Sequence, residues 1–141
     1  MSKVLYEKKG KIAYITLNRP KVNAVDAEMI GELDRIWDDF RDDDNLEVGI
    51  VSGAGNIFTA GADIGMIVDL LKGHPFRWRD SGLFGDRRSG PQTHSIWKPL
   101  IVAIEKICNG AGLWLALGCD IRIATTGTNF GLGEVRFNFP V

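Results

Sequence analysis

One carboxylate stands out among the 141 residues. Glu134 lies between glycine and apolar neighbours in Gly131-Leu132-Gly133-Glu134-Val135, just after a strand-like stretch. Buried in such company, a glutamate has a raised pKa and can donate or shuttle a proton near neutrality. The competing reading is a surface carboxylate at a helix N-terminus. Three glycine-bearing loops flank strands: Gly53-Ala54-Gly55, Gly61-Ala62-Asp63 and Gly110-Ala111-Gly112. The second lies between an extended segment and a helix, and the third opens another helix. Helix N-termini present unpaired N–H donors, so two brought together would make an oxyanion site. The same small residues would also serve close packing alone.

Other chemistries find less support. A dinucleotide fingerprint fails after Gly53-x-Gly55 and after Gly110-x-Gly112, where Phe58 and Leu115 stand at the third glycine position. No phosphate-loop lysine follows either. Ser52, Ser81, Ser89 and Ser95 sit in no nucleophile elbow, and His74 and His94 read as isolated surface residues. Cys108 and Cys119 lack metal or redox spacing and read as small buried hydrophobes in a reducing compartment. The run Asp42-Asp43-Asp44 has no turn-forming ligand loop, so we expect no metal there.

The elements that must position these residues follow an α/β order. Val4 to Lys8 can pair with Lys11 to Leu17 across the Lys9-Gly10 turn. Asp26 is a credible N-cap for a helix to about Arg41. Met29, Ile30, Leu33, Ile36, Trp37 and Phe40 recur on one face of that helix. The acidic run would meet the negative end of the helix dipole, which predicts a helix ending before Asp42. Val48 to Ser52, Leu100 to Ile104 and Asp120 to Ala124 read as further strands. A short helix is expected at Ile64 to Lys72 and a buried one at Gly110 to Gly118. Crossovers of this kind imply parallel pairing. We read residues 1–141 as a single domain with an irregular insertion at 73–95, where Arg77, Arg79, Arg87 and Arg88 cluster.

Composition excludes several classes. The chain is 45% hydrophobic and 25% charged with a net charge of −1, which gives no electrostatic footprint for nucleic acid or an anionic membrane. The lysine-interrupted start is no signal peptide, and no apolar run spans a bilayer; a soluble cytoplasmic protein is the expectation.

Taken together, the segments resemble the crotonase superfamily, the enoyl-CoA hydratase/isomerase family. The resemblance runs in order through Ile15-Thr16-Leu17-Asn18-Arg19-Pro20, Asn23-Ala24, Phe58-Thr59-Ala60-Gly61-Ala62-Asp63-Ile64 and Lys98-Pro99-Leu100-Ile101-Val102-Ala103. It continues through Gly110-Ala111-Gly112-Leu113, Leu115-Ala116-Leu117, Cys119-Asp120-Ile121-Arg122-Ile123-Ala124, Phe130-Gly131 and Glu134-Val135. It implies a ββα superhelix binding an acyl-CoA thioester, with CoA carried as part of the substrate, no separate cofactor and no metal. The family's two oxyanion-hole N–H groups fall on Ala62 and Ala111, the latter in place of the usual glycine. The family's CoA-binding segments fall on Arg19 to Lys21 and around Ala60, Ala62, Asp63 and Ile64. Homotrimers and dimers of trimers are the implied assemblies.

Two departures shape the expected activity. Family hydratases use two glutamates, which fall on positions 114 and 134; position 134 is Glu, but position 114 is Trp. An indole cannot accept a proton from water, and Trp114 would occupy the space the water needs. One carboxylate suffices to move a proton between carbons, so an enoyl-CoA isomerase-like reaction is the preferred expectation. Hydration, a family hydrolase or decarboxylase, and a non-catalytic acyl-CoA-binding paralogue or inactive fragment are the alternatives. The sequence also ends at Phe139-Pro140-Val141, where the resemblance suggests the N-terminal half of a longer fold without its C-terminal helices. Exposed apolar surface is therefore expected.

Overall fold

The computed structural model describes residues 2–71, 91 and 95–133. The chain begins with a hairpin of β1 (Val4–Lys9) and β2 (Ile12–Leu17), whose turn places Gly10 at φ 58°. Then come α1 (Ala27–Asp42), β3 (Val48–Gly53), α2 (Ile64–Leu71) and β4 (Leu100–Ile104). The last described elements are β5 (Ile107–Asn109), α3 (Ala111–Leu117), β6 (Ile121–Ala124) and β7 (Asn129–Gly131). A five-stranded sheet runs β1-β2-β3-β4-β6. β1 is antiparallel to β2, and β2, β3, β4 and β6 pair in parallel, as the crossovers require.

The expected α1 stripe is the buried face. Met29, Ile30, Leu33, Ile36, Trp37 and Phe40 join Ala13, Ile15, Leu17, Val51, Leu100 and Val102 in one core. Burying each large side chain contributes about 1.5–3 kcal/mol. Contact is close enough that a Cβ at Gly49 would fall 3.2 Å from the Phe40 ring and 2.5 Å from Leu100. Asp26 caps the helix as expected, accepting from the Met29 N–H at 3.0 Å.

Three expectations are corrected. Helix α1 continues through Asp42, because Lys98 Nζ reaches back to the Phe40 and Asp43 carbonyls at 2.8 and 2.6 Å. That cation offsets the acidic end of the helix. Two short strands unseen in the sequence, β5 and β7, form a separate parallel pair, with Asn109 opposite Gly131. Helix α3 is not buried all round: Gly112, Leu115 and Ala116 face inward, whereas Trp114 and Leu117 are exposed. All four β6 residues are exposed too, and Ile121, Ile123, Phe130 and Leu132 are among the exposed large apolar side chains. The expected insertion at 73–95 lies outside the described residues except Pro91 and Ser95. Among the described residues no helix is long and apolar enough to cross a membrane, and no His/Cys/Asp/Glu group could hold a metal.

Candidate active site

The segment from Phe58 to Asp63 belongs to neither sheet, yet backbone bonds hold it on both sides. Phe58 and Thr59 donate to Glu105 and Ile107 at 2.9 and 3.0 Å, and Asn109 donates back to Thr59 at 3.2 Å. On the other side, Ala60 donates to Val22, Val25 to Gly61 and Asp63 to Val25, all at 2.8–2.9 Å. Ala62 bridges Val25 in parallel. The flanking residues make those bonds, so the Ala62 N–H points away from Val25.

The two glycine-bearing loops meet here. A Cβ at Gly61 would lie 3.0 Å from the Asn109 carbonyl oxygen and 3.8 Å from Gly110 Cα. One residue into α3, Gly112 lies so close to Thr59 that a Cβ would fall 2.1 Å from its Cγ2. Gly110 carries the unusual backbone (φ 48°, ψ −117°), and Ala111 is outside the left-handed region. An alanine at 111 is therefore unstrained. Among the described residues, neither the Ala62 nor the Ala111 N–H joins the bonds that tie these loops together. Two backbone donors on adjoining, doubly anchored segments can stabilise an oxyanion without reorganising.

Two residues that sequence reasoning did not single out build this junction. Asn23 is buried at φ 49°, and its Nδ2 donates to the carbonyls of Ala54, Ile57 and Phe58 at 2.9–3.1 Å. Its Oδ1 accepts from the Arg19 N–H at 3.0 Å. Thr59 Oγ1 donates to the Asn23 carbonyl at 2.6 Å and accepts from the Gly61 N–H at 3.0 Å. The available signal was an asparagine in a turn, since Asn tolerates the left-handed region and bonds locally.

The expected CoA-binding residues divide. Arg19 is engaged internally: its guanidinium meets Asp63 at 2.7 Å, Asp26 at 3.3 Å and the Ala24 carbonyl at 3.1 Å. Asp63 also accepts from the Met66 N–H at the start of α2; that bond, then Arg19, holds its carboxyl below the ordinary range. For Asp26, burial pushes the pKa up, but the Lys3 ammonium and the Met29 N–H outweigh it and the net shift is downward. Lys21 and Ala60 are exposed, Ala62 is half-buried, and Ile64 is 75% exposed. Trp114 is 41% exposed on the first turn of α3. Glu134 lies outside the described residues.

A largely parallel sheet whose glycine-bearing loops meet at one junction is an architecture shared with known proteins. The sequence profile of the enoyl-CoA hydratase/isomerase family matches residues 7–139, and the chain belongs to that family. It is 36% identical over 135 residues to an (E)-benzylidenesuccinyl-CoA hydratase of Thauera aromatica, covering 94% of this chain and 51% of the relative. It is 34% identical to a short-chain-enoyl-CoA hydratase of Clostridium acetobutylicum, covering 96% of this chain and 51% of that protein. An enoyl-CoA hydratase structure from Mycobacterium tuberculosis matches 97% of this chain and 51% of its own at TM-score 0.77 and 31% identity. The fold is thus that of the crotonase superfamily. The chain spans about half the length of the curated relatives it matches.

Proposed function

We propose that this chain carries the thioester-binding half of an acyl-CoA enzyme that stabilises an enolate and moves a proton with one carboxylate. The observation that carries the reading is the junction of the Gly61-Ala62 and Gly110-Ala111 loops, with both alanine N–H groups left out of the bonds that the described residues make around them. The thioester oxygen would accept from both, and each such donor is worth roughly 3 kcal/mol in the transition state. Glu134 takes a proton from the α carbon of a 3-enoyl thioester, the electrons pass into the oxyanion, and the same glutamate returns the proton at the γ carbon. The double bond moves into conjugation and no water is consumed. Arg19 holds the Asp63 loop to α1, and the exposed Lys21 is a cation available to a CoA phosphate.

Trp114 favours this chemistry over hydration, because no second carboxylate stands at that position to activate water. Hydration is the second reading, favoured by the names of the relatives. Incubation with a short 3-enoyl-CoA in deuterated water separates the two. Isomerisation with deuterium uptake that is lost in Glu134→Gln, while CoA-thioester binding persists, is the expected result. Product carrying added water would refute the single-carboxylate route, and unchanged exchange in Glu134→Gln would remove Glu134 from it.

A further inference from the structure

Helix α3 buries Gly112, Leu115 and Ala116, which leaves Trp114 on its open side with 41% of its surface exposed. The Trp114 N–H bonds to the Gly110 carbonyl at 3.2 Å, so the residue belongs to the first turn. A helical side chain leans toward the helix N-terminus and covers the turn before its own Cα. That direction carries the indole toward the Gly110-Ala111 turn, which holds one of the two N–H groups assigned to the thioester oxygen. Indole offers a flat face, negative at its centre, and a single donor with no acceptor.

Resting on the acyl-CoA reading above, we propose that Trp114 is a specificity-determining residue whose indole face favours the planar acyl group conjugated to the carbonyl, the form that proton removal from the α carbon creates, over a saturated one. Hydrogen bonds to the thioester oxygen draw electron density out of a conjugated acyl group, and an electron-poor plane stacks well on the negative face of an indole. A saturated acyl group offers neither the plane nor the polarisation, so Trp114 separates two ligands of equal size.

The test uses the full chain with benzoyl-CoA, cyclohexanecarbonyl-CoA and CoA, measured by calorimetry. Benzoyl-CoA has no α hydrogen and no alkene, so neither proton transfer nor hydration can consume it. The expected result is benzoyl-CoA binding roughly three- to tenfold tighter than cyclohexanecarbonyl-CoA, the scale of one aromatic stacking contact. Trp114→Phe keeps the preference and Trp114→Leu, which retains apolar bulk, removes it; CoA binds all three proteins alike. Trp114 is exposed enough for both variants to fold, which circular dichroism checks. A preference below twofold in the unaltered chain, or one preserved in Trp114→Leu, overturns the proposal while CoA-thioester binding sustains the broader reading. Failure of the folded chain to bind any of the three probes overturns both.

Discussion

Replacing Gly112 with alanine tests the contact that seats α3 against the Phe58–Asp63 segment. The new Cβ would arrive 2.1 Å from Thr59 Cγ2, 3.5 Å from Thr59 Cβ and 3.7 Å from Phe58 Cε1. Thr59 and Phe58 are wholly buried, so neither can swing into solvent. Overpacking of this kind costs about 1–3 kcal/mol, against roughly 1 kcal/mol gained from alanine's better helix propensity. The net loss expected is about 0–2 kcal/mol, too small a range to interpret alone. Thr59→Ser removes the offending methyl but keeps the hydroxyl that bonds the Asn23 carbonyl and the Gly61 N–H. By itself it loses about 1 kcal/mol of buried methyl. Combined, the two changes complement each other, so the double variant should be more stable than the sum of the singles by at least ~1 kcal/mol. Urea unfolding of the four proteins gives the coupling directly from the midpoints at a common slope. Additive losses would refute the reasoning, because they would mean that α3 is not pressed against Thr59.

Asn23→Ala should cost about 3 kcal/mol or more, since it strands the buried carbonyls that Asn23 Nδ2 now serves; a loss below ~1 kcal/mol in urea would sink that account. Stability should also fall in acid through the carboxylates beside Lys8. Lys8 and then the Asn45 N–H hold Asp43 down at about 2, and Lys8 and then Tyr6 lower Asp39. A folded pKa below the unfolded ~3.9 gives stabilisation that is complete above the unfolded value and lost as pH falls through the folded one. The unfolding free energy should therefore drop between about pH 4 and pH 2, and the drop should be shallower in Asp43→Asn, as read from thermal melts at stepped pH.

The elements legible in the sequence are those with a period long enough to count. The α1 stripe repeats over four turns, and the alternation in β2 falls on its buried residues Ala13, Ile15 and Leu17. β5 and β7 have three residues each, too few to show a period, and each exists only because a distant partner supplies its hydrogen bonds. The same limit applies to the site. Glycine loops before α2 and α3 could be read as donors, but not the engagement of Arg19. Its acidic partners, Asp26 and Asp63, belong to different elements. The helix at 110–118 is expected to be buried because it is apolar throughout; the exposure of Trp114 depends on what packs against it.

The junction around Thr59 also bears on the order of folding. Thr59 is tied to Asn23 across 36 residues and to Ile107 across a longer stretch, with the core strands β3 and β4 in between. Closing such long loops carries an entropy cost that local contacts do not repay. The paired N–H groups should therefore assemble late, once the central strands have already associated. No short piece of the chain could preserve them, and the hydrogen-bonded amides that hold the junction, those of Gly61 and Asn109, should exchange only through large-scale opening of the fold.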